Sequence, residues 1–160
     1  MKLSTYQATG FYCLDKIGPG GLRSFPMAIV SISKGHVLTD DTAGYVTNTA
    51  ADFGASNLMA GVAAEPVDNS AGALGTKDIL VIPALPNYRF SVRVDNALIT
   101  RTSVGTYADI GTANGAISTA DVPTEGWGFK IDDIDVSAEA VAANAYGYAI
   151  GHFEMIGTAA

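Results

Sequence analysis

The chain has 160 residues, with 16 acidic against nine basic side chains and a formal net charge of −7 at pH 7. This length is enough for one domain with a substantial core. The negative charge argues against a nucleic-acid backbone as the main partner. The single cysteine, Cys13, excludes a disulfide within the chain. Because the longest apolar run, Leu58 to Ala64, is far shorter than the roughly 20 residues of a membrane span, we expect neither a membrane segment nor an export signal.

Residues 1–25 are predicted to form an extended N-terminal arm. Gly18-Pro-Gly-Gly21 cannot hold a helix or a central strand, yet the segment is too apolar for a solvated tail. Such an arm is expected to lie across another surface, either its own body or a neighbouring subunit. The residues expected to make that contact are Tyr6, Phe11, Tyr12, Leu14, Ile17, Leu22, Arg23 and Phe25.

Residues 26–160 are predicted to form a β-rich body. Its first part contains short extended segments separated by Gly and Asp turns, of which Asp40–Gly44 is a hairpin turn. The strongest strand, at 77–82, ends at Pro83. The segments predicted as strands in this part are 27–32, 36–39, 45–47, 58–64 and 77–82, and the segment 65–76 is a loop by composition.

The second part of the body continues with strands and one helix. Residues 88–94 alternate strictly, which predicts one buried and one wet face. Ser137 and Gly147 are placed to begin and end a short helix at 138–145. The remaining predicted strands are 98–104, short pieces within 105–119, 126–136 and 148–156. The fold class is therefore mainly β: a small antiparallel barrel or sandwich with an N-terminal arm and one short helix near the C-terminus.

Charge is distributed unevenly along the chain. Residues 1–26 carry three basic side chains against one acidic, whereas residues 120–160 carry one against seven. This asymmetry suits subunits that meet head-to-tail. Arg89, Arg93 and Arg101 are expected to form salt bridges with the acidic C-terminal region.

No motif indicates catalysis or a cofactor. Cys13 has no base near it in sequence, and the two histidines, His36 and His152, each stand alone in a strand. A calcium loop at Asp132–Asp135 is interrupted by Val136, so these carboxylates read as a solvated strand edge. A metal-dependent hydrolase built on the histidines and this acidic run is the weakest interpretation. We expect no enzyme, no cofactor and no metal.

Four short segments in the body resemble one protein family. Lys34-Gly-His-Val-Leu38, Asp41-Thr-Ala-Gly-Tyr-Val46, Leu58-Met-Ala-Gly-Val-Ala63 and Asp78-Ile-Leu-Val-Ile82 form an ordered series that resembles the head decoration, or capsid cement, proteins of tailed bacteriophages. The resemblance implies a β-rich structural protein of the virion, assembled in the host cytoplasm. It also implies binding to the outer surface of a shell of major capsid protein, often as a homotrimer, where it stabilises contacts between capsid subunits.

A second function from another class stays open. A carbohydrate- or ligand-binding β module needs exposed aromatic side chains on one face. The candidates for that role are Trp127, Tyr107 and Tyr146.

Overall fold

The computed structural model describes residues 2–7, 10–18, 20–41, 43–48, 59–110, 115–120, 122–123 and 126–157. It is mainly β with a single short helix near the C-terminus, which confirms the predicted fold class. The strands in the described part are β1 (Tyr12–Cys13), β2 (Arg23–Pro26), β3 (Ser31–Ile32), β4 (Val37–Asp40), β5 (Val46–Thr47), β6 (Met59–Ala63), β7 (Val67–Asp68), β8 (Asp78–Pro83), β9 (Phe90–Val94), β10 (Tyr107–Ile110), β11 (Ala116–Ser118), β12 (Gly126–Asp135) and β13 (Tyr148–Gly157). Helix α1 covers Ala138–Ala143.

The first sheet has the strand order β1-β9-β11-β10-β12-β13, and β13 pairs back onto β9. These pairings curl the sheet into a half-barrel. The longest ladder joins β12 to β13, as expected for two strands connected through a short helix. Pairing is antiparallel throughout except between β9 and β11, which run parallel.

Aromatic side chains fill the inside of this curled sheet. The predicted buried face of β9 is confirmed, because Phe90, Val92 and Val94 lie in the main core. The predicted wet face is wrong, because Ser91 is buried and Arg93 is half-buried. Phe129 and Phe153 come from facing positions of β12 and β13, with ring centroids 5.3 Å apart. Edge-to-face ring contacts of this kind add to the stability gained from burial.

The second sheet has the order β2-β8-β6-β4-β5. One of its faces contributes Val37, Val62 and Ile82 to the main core. Its other face covers a second cluster that includes Leu38 and Ile79, beside the small β3–β7 sheet. The two sheets therefore share one core and form one compact body.

Two predicted strands are wrong. In 27–32 only β3 is extended, because Val30 N–H donates to the Ala28 carbonyl at 3.0 Å and turns the chain. In 98–104 the chain forms a 3-10 turn at Arg101–Ser103. β-Branched residues favour strands only where a neighbouring strand is in reach, and local turn hydrogen bonds replace the ladder at both places. Arg23–Pro26 forms β2 instead, across the predicted boundary between arm and body.

The predicted helix is confirmed, two residues shorter than expected. The Ser137 side chain accepts a hydrogen bond from Ala140 N–H at 3.3 Å, which caps the first turn. Asn144 already has an extended backbone. Its side-chain amide donates to the Gly147 carbonyl at 2.7 Å and to the Val94 carbonyl at 2.9 Å. The helix therefore ends where Asn144 ties it to β9.

Candidate functional site

The first residues of the arm lie on the chain's own body. Leu3 is buried, and its backbone N–H donates to Asp135 Oδ2 at 2.8 Å. The Tyr6 hydroxyl donates to the same oxygen at 2.8 Å, and Lys2 forms an exposed ion pair with Glu139 at 2.9 Å. The basic N-terminus and the acidic C-terminal region, predicted to meet between subunits, thus contact each other within one chain.

Asp135 is the centre of this attachment. Its carboxylate is almost completely buried, and burial by itself raises the pKa of a carboxyl group. Hydrogen bonds from the backbone of Leu3 and Ser137 and from the Tyr6 hydroxyl outweigh that effect and lower the pKa to about 2. The charged form of Asp135 therefore stabilises the attached arm at every pH well above this value.

Three glycines meet where the arm crosses the body. Gly10 N–H donates to the Gly115 carbonyl at 2.9 Å, and Phe11 N–H donates to the Gly35 carbonyl at 2.8 Å. A Cβ atom on Gly115 would lie 2.6 Å from the Gly10 nitrogen, which is too close for any side chain. Only glycine permits this approach, and it delivers the next residue, Phe11, into the main core.

Five of the eight predicted contact residues lie against the body, and three face outward. Phe11 is buried at 4% exposure among Phe90, Phe129 and Phe153. A further four are half-buried against the body: Tyr6, Leu14, Ile17 and Phe25. The remaining three face outward, namely Tyr12 at 41%, Leu22 at 38%, and Arg23.

The acidic run on β12 is only partly the predicted solvated edge. β10 pairs with β12 only at Phe129 and Lys130, and Asp132 is exposed, but Asp135 is buried, and each carboxylate of the run has a partner. Asp132 Oδ2 lies 2.7 Å from His152 Nδ1, and Asp133 Oδ1 lies 3.0 Å from Arg101 Nη1. The register shift between Ile131 and Asp133 makes Asp132 the extra residue of a bulge, beside His152.

The three arginines have different partners. Arg101 pairs with Asp133, as predicted. Arg89 pairs instead with Asp15 at 3.1 Å, and Asp15 Oδ2 also accepts the Arg89 backbone N–H at 2.6 Å. Both contacts lower the pKa of Asp15. Arg93 is half-buried, and its Nε has no hydrogen-bond partner in the described part of the chain.

The described residues contain no group of three side chains able to hold a metal ion. Burial lowers the pKa of His36 and raises that of Cys13, which keeps the imidazole neutral and the thiol protonated. Tyr107, a candidate for stacking, donates to Glu154 at 2.8 Å, and Lys130 Nζ lies 5.6 Å from its ring centroid. The helix that the structure describes is too short to cross a bilayer.

A concave site is present among the described residues, and we name it the Trp127 cavity. It has a volume of about 380 Å³ and lies at one end of the second sheet, against β12. Two of the predicted arm residues, Arg23 and Phe25, line it beside the aromatic candidate Trp127. Its further lining residues are Asp40, Val46, Met59, Ala60, Pro83, Ala84 and Leu85.

No protein-family model, no curated protein and no solved structure matches this chain.

Proposed function

We propose that this protein is a structural virion protein of the decoration, or cement, type. It binds the outer surface of a capsid and stabilises contacts between major capsid subunits, as a homotrimer and without catalysis. The observation that carries the proposal is the placement of the four motif segments. They overlap β4, β5, β6 and β8, which are neighbours in the second sheet, and this side-by-side placement supports the resemblance.

The arm supports the proposal through what it leaves outside. Because Asp135, Gly115 and the aromatic core hold its first part in place, Tyr12 is presented from a fixed backbone. Tyr12 lies in strand β1, which pairs with β9, and its side chain is exposed. Leu22 is exposed just before β2. Exposed apolar and aromatic side chains on a rigid frame are typical anchors of protein interfaces.

Co-sedimentation tests this role directly. Shells are assembled from the major capsid protein encoded nearest in the same genome, and purified protein is added to them. We expect saturable binding that approaches one trimer per local three-fold position of the shell, and a trimer mass by light scattering. Shells that leave the wild-type protein in the supernatant would overturn the proposal.

A matched pair of variants locates the contact. Tyr12→Ser combined with Leu22→Ser is expected to weaken binding at least tenfold, because each truncation of an interface anchor removes more than about 1 kcal/mol. Leu98→Ser serves as the control, since Leu98 is 54% exposed and lies between β9 and the 3-10 turn. Equal binding by the double variant and the control would contradict the assignment of the arm as the contact.

A further inference from the structure

The Trp127 cavity has the size and lining of a ligand site that the capsid role does not require. At about 30 Å³ per water-sized group, its volume of about 380 Å³ holds roughly a dozen non-hydrogen atoms. This volume lies within the range of small-molecule pockets, which are lined mainly by hydrophobic and aromatic side chains with few polar groups.

The cavity is graded from an exposed rim to a buried floor. Arg23 and Leu85 are exposed, the latter at 42%, and form the rim. Val46 and Ala84 are buried at 2% and 6% and form the floor. The half-buried walls are apolar and consist of Phe25, Met59, Ala60 and Trp127. A ligand that fits this gradient has an apolar body and a polar group at one end only.

Charge decides which polar group the rim accepts. Among the described residues that line the cavity, Arg23 and Asp40 are charged. Asp40 is occupied in the hairpin turn, where its Oδ1 accepts the Gly44 N–H at 3.2 Å. The Arg23 guanidinium has no hydrogen bond or ion pair in the described part of the chain. A guanidinium of this kind binds a carboxylate with two parallel hydrogen bonds.

We propose that the Trp127 cavity binds a small amphipathic carboxylate, with its apolar chain against Trp127 and its carboxylate at Arg23. Burial of the chain supplies most of the affinity. The charge-assisted contact at the rim selects for the acid over its neutral analogue.

Fluorescence titration with decanoate, below its micelle concentration, tests the site. Because Trp127 is the only tryptophan in the chain, a change in its emission reports this cavity alone. We expect a saturable change with decanoate and none with acetate, which has the carboxylate but no apolar chain. A response to decanoate that never saturates, or an equal response to acetate, overturns the proposal.

Two single-charge variants separate a local contact from general attraction. Arg23→Gln is expected to weaken decanoate about tenfold, the effect of one lost charge-assisted hydrogen bond, while decanamide, with the same chain and no charge, binds wild type and variant equally. Lys34→Gln removes an exposed lysine that does not line the cavity, and it is expected to leave both affinities unchanged. Equal weakening of decanoate by the two variants overturns the role of Arg23.

A cavity-filling variant checks the position of the apolar chain. Ala60→Leu is expected to abolish binding of decanoate and decanamide together, with circular dichroism confirming the fold. Unchanged binding by a folded Ala60→Leu protein places the ligand elsewhere and overturns the proposal. If this variant does not fold, the comparison of Arg23→Gln with Lys34→Gln still decides. None of these variants touches Tyr12 or Leu22, so failure here and failure of capsid binding are distinguishable.

Discussion

The two ends of the arm have similar sequences and different environments. Residues 2–7 and 10–15 are held by the body through Asp135, through the glycine crossing and through Phe11 in the core. Residues 20–22 lead into β2 (Arg23–Pro26), the edge strand of the second sheet, and Arg23 and Phe25 line the Trp127 cavity. Both segments are apolar and glycine-containing, so hydrophobicity does not distinguish them.

The difference lies in the polar groups that each segment meets. The first segment meets a buried carboxylate and two free backbone carbonyls at the glycine crossing, which satisfy its own N–H groups. In the second segment, the backbone of β2 pairs with β8 on one side, and Phe25 packs against the second cluster. A segment whose N–H groups find acceptors in the body becomes part of the fold. The outward side chains of the edge strands, Tyr12 in β1 and those of β2, stay available to bind something else.

The largest difference in the free energy of unfolding is expected between variants of two neighbouring residues, Phe11 and Tyr12. Phe11→Ala is expected to lower the free energy of unfolding by about 3 kcal/mol or more, because it leaves a cavity among Phe90, Phe129 and Phe153. Tyr12→Ala, one residue further on and 41% exposed, is expected to cost less than about 1 kcal/mol. Urea denaturation measures both, and similar losses would show that the arm does not divide at this point.

Replacing Asp135 is expected to have the next largest effect on the free energy of unfolding, and this effect depends on pH. Its pKa in the folded protein, about 2, is below the ordinary value of 3.8. The stabilisation is therefore fully present above about pH 4 and is lost as the pH falls towards about 2. Asp135→Asn is expected to lower the free energy of unfolding by about 2 kcal/mol at about pH 6, with the difference from wild type shrinking towards about pH 2.

The control for this pH dependence is Asp78→Asn, because Asp78 is exposed at the start of β8. That variant is expected to stay within about 0.5 kcal/mol of wild type. A loss in Asp135→Asn that is the same at both pH values would contradict the role of the charged carboxylate.

A third, smaller effect on the free energy of unfolding is expected where Gly10, Gly35 and Gly115 meet. Gly115→Ala places a Cβ atom 2.6 Å from the Gly10 nitrogen, and relief of that clash moves the arm outward. We expect a loss of about 1.5 kcal/mol and faster hydrogen exchange at the Phe11 amide. Gly18→Ala, with nothing within 4 Å of the added atom, is expected to change neither quantity.

Much of the fold follows from local sequence signals, and the arm's attachment does not. The start of the helix is predictable because Ser137 caps it, and β9 is predictable because apolar and polar side chains alternate strictly over residues 88–94. The hydrogen bond from Leu3 N–H to Asp135 joins residues 132 positions apart. A backbone N–H has no sequence signature, so no pattern indicates that Asp135 is its acceptor.

The candidate site was predictable in part. Trp127, Arg23 and Phe25 were each singled out by residue type, but their meeting at one cavity depends on how two sheets are placed in space. The pairing of the strands that carry Asp132 and His152 was predictable, because the predicted strands 126–136 and 148–156 are joined by one short helix. The bulge that turns Asp132 towards His152 could not be read from residue types alone.

The exposed ion pair between Lys2 and Glu139, at the start of the arm, is expected to have the smallest effect on the free energy of unfolding. Glu139 raises the pKa of Lys2, and Lys2 lowers the pKa of Glu139. Both side chains are nevertheless more than half exposed. Solvent screens such pairs and the ordering of two long side chains opposes them, so Lys2→Gln is expected to leave the urea midpoint unchanged. A clear shift that disappears in about 1 M salt would mean that charge, rather than the buried contacts of Leu3 and Phe11, holds the arm to the body.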